Sequence, residues 1–177
     1  MAIVALVNAV TVGHDGLEPV AAPKGSQLRR VVSEAVREPG YRGDCTTAEA
    51  ERLVPWIALC RKVIEMLEAE QRAAAVDVVN AMLHDTGARA RLQPDEDGDF
   101  SIHFHGPDDS FDKGWAAGLA SGLALAIGGG FAHRFGTCQA APCDRVWVDF
   151  SKNTHRRFCS VRCQSRVKAA AHRARHN

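Results

Sequence analysis

Several signals that assign a chain to a common class are missing from these 177 residues. No apolar run reaches membrane-spanning length without polar interruption, so we expect no transmembrane helix. The opening Met1-Ala2-Ile3 lacks the basic start of a secretory signal, so we expect no export. Gly128-Gly129-Gly130 lacks the Lys-Ser/Thr pair and the spacing of a phosphate-binding loop. The apolar content of 46% is ordinary for a globular protein. With the signals above missing, we expect the chain to belong to this class.

Signals for calcium binding and for catalysis are also absent. The acidic run 93–99 lacks the regularly placed ligands and the closing Glu of a calcium loop. No nucleophile and base can be assembled from the sequence, so we expect no enzymatic activity. The alternative is a small-molecule or enzymatic site among the N-terminal helices, around Asn8, Asn80 and the His103/His105 pair, although this pair has no third metal ligand nearby in the sequence.

Charge is divided unevenly along the chain. The net charge is only +1, yet residues 134–177 hold 10 Lys/Arg against 2 Asp/Glu, whereas residues 1–133 hold 12 against 19. Such asymmetry indicates a basic binding module on an acidic body. We therefore predict two domains, residues 1–133 and residues 134–177.

Four of the six cysteines have the spacing of a metal site. They form two close pairs in the run Cys138-x4-Cys143-x15-Cys159-x3-Cys163, which is typical of a structural zinc site. Four thiolates leave no open position for water, so we expect one structural zinc ion and no hydrolysis at the metal. Reduced thiolates that hold zinc belong in the cytosol, so we expect a cytoplasmic protein. The remaining two are interpreted as a loop residue, Cys45, and a buried helix residue, Cys60.

The residues around these pairs predict a treble-clef-like zinc finger. Polar and apolar residues alternate over 145–150, which favours a strand, and 151–154 is a turn cluster. The stretch from Ser160 to Arg175 contains neither Pro nor Gly and is rich in Ala and Arg, so it predicts a helix with Ser160 as its N-cap. The predicted order is a cysteine turn, a short hairpin and a helix that carries the last two ligands in its first turn.

The same run resembles a known family. Cys143-Asp144-Arg145-Val146-Trp147-Val148-Asp149-Phe150, Arg156-Arg157-Phe158-Cys159 and Cys163-Gln164-Ser165-Arg166 look like the CGNR-type zinc finger. That finger closes bacterial proteins with an N-terminal ABATE domain, which are described as stress-induced transcription regulators. Gln164 and Ser165 stand where the family usually has Gly and Asn, while Arg166 remains. Residues 5–10, Ala-Leu-Val-Asn-Ala-Val, resemble the opening segment of the ABATE domain.

The N-terminal domain is predicted to be mainly α with a small β-hairpin, which is an α+β fold. Residues 3–12 are a helix or a strand by periodicity, and the family resemblance favours a helix. Residues 13–25 are predicted to be a loop, and Pro55 is expected to kink or divide a long helix. Ile102 and Phe104 are expected to face the core. The predicted helices are 28–37, 48–70, 71–84 and 111–126, and the predicted strands are 88–92 and 100–105.

The finger carries the predicted function. Lys and Arg neutralise phosphates, and a zinc-anchored helix can enter the major groove, so we expect a DNA-binding transcription regulator. The predicted nucleic-acid contacts are Arg156, Arg157, Arg162, Arg166, Lys168, Arg173 and Arg175. The alternative is a protein-interaction module in which the basic helix docks on an acidic partner. A homodimer and a small-molecule effector of unknown identity are further expected partners.

Overall fold

The computed structural model describes residues 2–37, 43–94, 98–108 and 110–176. Within these ranges the chain forms six α-helices and three two-stranded antiparallel hairpins, so the predicted mainly helical α+β class is confirmed. A 3-10 turn at 132–134 leads into the third hairpin. In chain order the elements are α1 Ala2–Val10, β1 Gly13–Asp15, β2 Glu18–Val20, α2 Gly25–Ala35, α3 Thr47–Glu68, α4 Arg72–Thr86, β3 Arg89–Pro94, β4 Phe100–His105, α5 Phe111–Gly128, β5 Phe135–Thr137, β6 Val146–Val148 and α6 Val161–His176.

The central helix α3 has a well-defined start and passes through its proline without a break. The Thr46 hydroxyl accepts a hydrogen bond from the Glu49 backbone N–H at 3.2 Å, and the Glu49 carboxylate accepts one from the Thr46 N–H at 2.7 Å. This reciprocal capping box satisfies two donors at the helix start. The helix continues past Pro55, so the predicted division at that residue does not occur.

The main hydrophobic core lies around α3. Leu53, Ile57, Cys60 and Ile64 recur at helical spacing and are fully buried. They pack among the apolar faces of α1, α2, α4 and α5. Each large apolar side chain that is fully buried contributes about 1.5–3 kcal/mol relative to exposure, so this stripe organises the fold. Among the described ranges, no helix combines the length and the apolarity that crossing a bilayer requires.

Two hairpins differ from the predictions. Residues 13–20, predicted to be loop, form the β1–β2 hairpin, whose strands of three residues are too short to show a period. The β3–β4 hairpin forms where predicted, but Ile102 does not face the core and is 54% exposed. This hairpin packs on α5 through β4 at the edge of the fold, and Phe104 is therefore only half-buried.

The third hairpin joins the predicted finger to the helical core. Phe135 of β5 and Val146 and Val148 of β6 are buried in the same cluster as the residues of α1 and α3. β6 pairs with β5, which precedes Cys138, and residues 149–158 contain no strand. The hairpin therefore surrounds the first cysteine pair and does not lie between the two pairs as predicted. The boundary between residues 133 and 134 stays a prediction.

Candidate metal centre

The four cysteines of the predicted zinc site lie together. The Sγ atoms of Cys138, Cys143, Cys159 and Cys163 are all within 4.8 Å of one another. Cys143 and Cys159 sulfurs are 3.7 Å apart, and those of Cys159 and Cys163 are 3.8 Å apart. A tetrahedral zinc ion with Zn–S bonds of about 2.3 Å places its ligands about 3.8 Å apart. The donor set and its spacing therefore fit one structural zinc ion, as predicted.

The first pair sits in the turn that connects β5 to β6. The Cys138 N–H donates to the Arg145 carbonyl at 2.9 Å and continues the ladder of the hairpin. The Cys143 N–H donates to the Ala140 carbonyl at 2.9 Å, which closes the turn between the two ligands. Because the hairpin itself is embedded in the main core, it holds these two sulfurs in place.

The second pair is set by the start of α6. Ser160 precedes the helix, and its hydroxyl accepts a hydrogen bond from the Cys163 N–H at 3.3 Å, so the predicted N-cap is confirmed. Cys163 is fully buried, whereas Cys159 is partly exposed. The Cys159 N–H lies 3.4 Å from the Cys138 sulfur, where it supports the negative charge of a thiolate. The cluster forms a second small core with Ala140, Phe158 and Val167.

Burial changes the acidity of the ligand thiols. It raises the pKa of Cys138 and of Cys159. Burial also acts to raise the pKa of Cys163, but hydrogen bonds from Ser160 and from the neighbouring thiols outweigh it, and the pKa of Cys163 is lowered. Zinc binding must therefore displace protons from at least Cys138 and Cys159, because the metal binds thiolates.

Two arginines of the predicted nucleic-acid surface are used inside the finger. Arg166 Nη1 donates to the Ala141 carbonyl at 2.9 Å, and Nη2 donates to the Ala140 carbonyl and lies 4.0 Å from the Cys163 sulfur. Arg166 thereby ties α6 to the first cysteine turn and places a cation beside the thiolates. Arg156 donates to the carbonyls of Val148 at 3.0 Å, Phe158 at 3.1 Å and Cys159 at 2.6 Å.

Arg156 is nevertheless exposed, and so are the other five predicted contacts. Arg157 Nε donates to the Gln139 side chain at 2.6 Å, and Arg162 pairs with Asp15 of β1 at 2.8 Å. Lys168, Arg173 and Arg175 are exposed on α6. All nine residues from 168 to 176 are exposed, so this half of α6 is largely open to solvent.

A set of hydrogen bonds connects α1 to β6 and the preceding Arg145, and we call it the polar joint. It was not predicted from the sequence. The Asn8 side chain donates to the Val146 carbonyl at 2.9 Å and accepts from the Val146 N–H at 2.8 Å, as a paired strand would. Arg145, which is 4% exposed, donates to the carbonyls of Asn8 at 2.7 Å and Thr11 at 3.2 Å. These bonds satisfy carbonyls at the end of α1, where no further helical turn can do so.

Asp144 completes the joint. Its carboxylate accepts from the His14 N–H at 2.9 Å, from Arg145 Nη2 at 2.8 Å and from Arg61 Nη2 at 3.0 Å. Burial acts to raise the pKa of Asp144, but these hydrogen bonds and the two guanidinium charges outweigh it and lower the pKa. Asp144 therefore connects the β1–β2 hairpin, α3 and the first cysteine turn while it is ionised.

The residues of the alternative small-molecule site lie on three different elements, α1, α4 and β4. Asn8 is used in the joint with Val146, and Asn80 is exposed on α4. The rings of His103 and His105 lie with centroids 6.5 Å apart, but among the described residues only the four ligand cysteines form a group that could hold a metal ion. Cys60 is buried in α3 as predicted, and burial raises its pKa to about 12. Cys45 is buried in the loop before α3.

Comparison with known proteins agrees with this geometry. Residues 134–176 match the family model of the CGNR zinc finger, so the predicted resemblance is confirmed over that range. No curated protein matches the chain. The ABATE resemblance of the N-terminal part stays a prediction, and the treble-clef arrangement is not confirmed, because the hairpin surrounds the first cysteine pair.

Proposed function

We propose that this chain is a zinc-dependent DNA-binding protein that regulates transcription in the cytoplasm and uses α6 to contact duplex DNA. The observation that carries this function is the exposed half of α6, which holds Lys168, Arg173 and Arg175 and no acidic residue. The role is one of binding, because four thiolates around zinc leave no coordination position for a substrate.

The start of α6 is held by the cysteine cluster, and residues 168–176 are exposed. This arrangement suits a helix that enters a groove of DNA. Cys163 and Arg166 hold the first turns to the metal cluster, and the cations near the end favour the helix through its dipole. Lys168 and Arg175 are seven residues apart and share one face, whereas Arg173 lies on another. A helix in the major groove has phosphates on both sides, so cations on two faces are useful there.

The salt dependence of DNA binding tests the three cations together. The variant Lys168→Gln/Arg173→Gln/Arg175→Gln should weaken binding to mixed-sequence duplex DNA and lower the slope of log K against log salt by about 2–3. The zinc-loaded protein is titrated by fluorescence anisotropy across a salt series. The matched control replaces three exposed cations of the body, Lys24, Arg29 and Arg30, with Gln.

Three outcomes can be distinguished. Loss of affinity and slope in the α6 variant alone supports DNA contact through this helix. Equal effects in both variants would show only a dependence on net charge, and an unchanged slope in the α6 variant would place the contact elsewhere. Circular dichroism and zinc content verify that the variants keep the finger.

One feature favours the second function, a protein-interaction module. A groove of about 660 Å³ lies between residues 149–158 and α6. Its walls include Phe158 and the exposed Val161, with Arg157 and Lys168 at the same groove. Apolar anchors beside cations fit an acidic peptide with an apolar side chain. If plain duplex DNA fails to bind even at low salt, this groove becomes the favoured contact surface.

A further inference from the structure

A cavity of about 600 Å³ lies between α1, α5 and the β5–β6 hairpin, away from the metal. Its size is that of a pocket for a small ligand. Gly118 and Gly122 of α5 line it, and an added Cβ at Gly118 would meet nothing within 4 Å, so the space reaches the helix backbone. The larger apolar walls are Ile3, Trp115, Leu119, Phe135, Val148 and Phe150.

The cavity has one cationic wall residue, Arg134. Its Nη1 donates to the carbonyls of Asp149 and Ser151, each at 2.9 Å. Its Nε is buried and has no acceptor within the described part of the chain. Because that atom is closed off from the cavity, a carboxylate there would meet the positive charge of the guanidinium through its Nη groups.

We propose that this cavity binds a small amphipathic carboxylate, with the apolar tail along the glycine face of α5 and the carboxylate on Arg134. The charge at an otherwise apolar wall selects an anion over a neutral molecule, and the volume limits the ligand to a small one. Because the walls come from both the helical body and the hairpin that leads to the first cysteine, the ligand would bridge the two. Binding here is independent of DNA binding by α6, and either can fail alone.

Calorimetric titration of the zinc-loaded protein with hexanoate, octanoate and decanoate measures this directly. Binding should saturate at one molecule per chain and tighten by about four-fold for each added methylene, as expected for burial of an apolar chain. The corresponding alcohols, which lack the charge, should bind more weakly by a factor of about ten at least.

A matched pair of glycine variants separates the cavity from general surface binding. Gly118→Leu fills the space while it improves helix propensity, so the variant should fold and lose the carboxylate. Gly114→Leu gives the same gain in propensity one turn earlier, where an added Cβ also meets nothing within 4 Å and the residue does not line the cavity. Helical side chains tilt toward the N-terminus, so a Leu at 114 points away from the cavity, and this variant should bind as the parent does.

Three results would overturn the assignment. The first is no saturable binding of any of the three carboxylates, and the second is equal affinity for acids and alcohols. The third is a chain that dimerises in sedimentation experiments and becomes monomeric in Gly118→Leu, since the cavity would then belong to an interface between two copies.

Discussion

Removal of the zinc should unfold α6 and leave the other helices in place. Cys159→Ser removes one ligand, and a small module that depends on its metal cannot hold its fold without it. α6 has 16 residues, and the other five helices have 9, 11, 22, 15 and 18. The far-UV circular dichroism signal at 222 nm should therefore fall by about one-sixth, because it scales with the number of helical residues.

Unfolding should be limited to α6 because the buried hydrophobic residues form two separate clusters. The cysteines pack with Phe158 and Val167, whereas Phe135, Val146 and Val148 of the hairpin belong to the main core. The hairpin should therefore keep its backbone protection when the metal site is lost. Hydrogen exchange resolves this, because β5 and β6 should stay protected while residues 159–176 exchange fast.

Cys45→Ser is the matched control for this experiment. It makes the same chemical change outside the cluster, and a serine there can keep the hydrogen bond that the Cys45 sulfur shares with Ser33 at 3.3 Å. This variant should keep one zinc per chain and the full helical signal. Collapse of the whole helical signal in Cys159→Ser would refute the reasoning, as would a variant that retains α6 without metal.

Two further predictions concern the stability of the body. Arg145→Met should lower the free energy of unfolding by about 3–5 kcal/mol, because it removes a buried cation and leaves carbonyls of α1 without donors. Urea unfolding measures this, with the exposed Arg173→Met as control, and a loss below about 1 kcal/mol would contradict it. The hydrogen bond from Arg52, followed by the charges of Arg52 and Lys113, lowers the pKa of Asp112, so its contribution to stability is present above the unfolded pKa of about 4 and is lost as the pH falls below that value. Asp112→Asn should therefore flatten the acid limb of the stability curve, and an unchanged limb would count against this pair.

The metal site could be predicted from the sequence because its signal is local. Two cysteine pairs at fixed spacing, and a helix without Pro or Gly after the second pair, are read directly along the chain. The Ser160 cap follows from the same short stretch. In the helix and its cap the interacting residues lie within a few positions of one another, and the spacing of the cysteine pairs matches that of known zinc sites.

The joint between Asn8 and Val146 had no such signal. The two residues are 138 positions apart, and the side-chain amide of Asn8 makes the two hydrogen bonds to Val146 that a neighbouring strand would make. The pairing partner of β6 was misjudged for a related reason. Alternation over 145–150 predicts a strand, but it does not say whether the strand pairs with a segment before or after it, and all three residues of β6 are buried.

The number of cations was visible in the sequence, but their use was not. Arg156 and Arg166 bind carbonyls inside the finger, whereas Lys168 and Arg175 remain exposed. A count of charge treats these four residues alike. Only the backbone geometry of the cysteine turns separates the arginines that build the module from the cations that can meet a partner.

The joint between α1 and β6 also sets the order in which the chain can complete its fold during synthesis. Val146, which bonds to Asn8 near the end of α1, is 138 positions further along the chain and is therefore made much later than α1. Leu6 and Val7 are fully buried in the finished core, so their neighbours are incomplete until translation has passed β6. Contacts of such long sequence separation form slowly and leave apolar surface open to aggregation in the meantime. A chain that stops after α5 would keep the five described helices of the body and still lack one wall of its core.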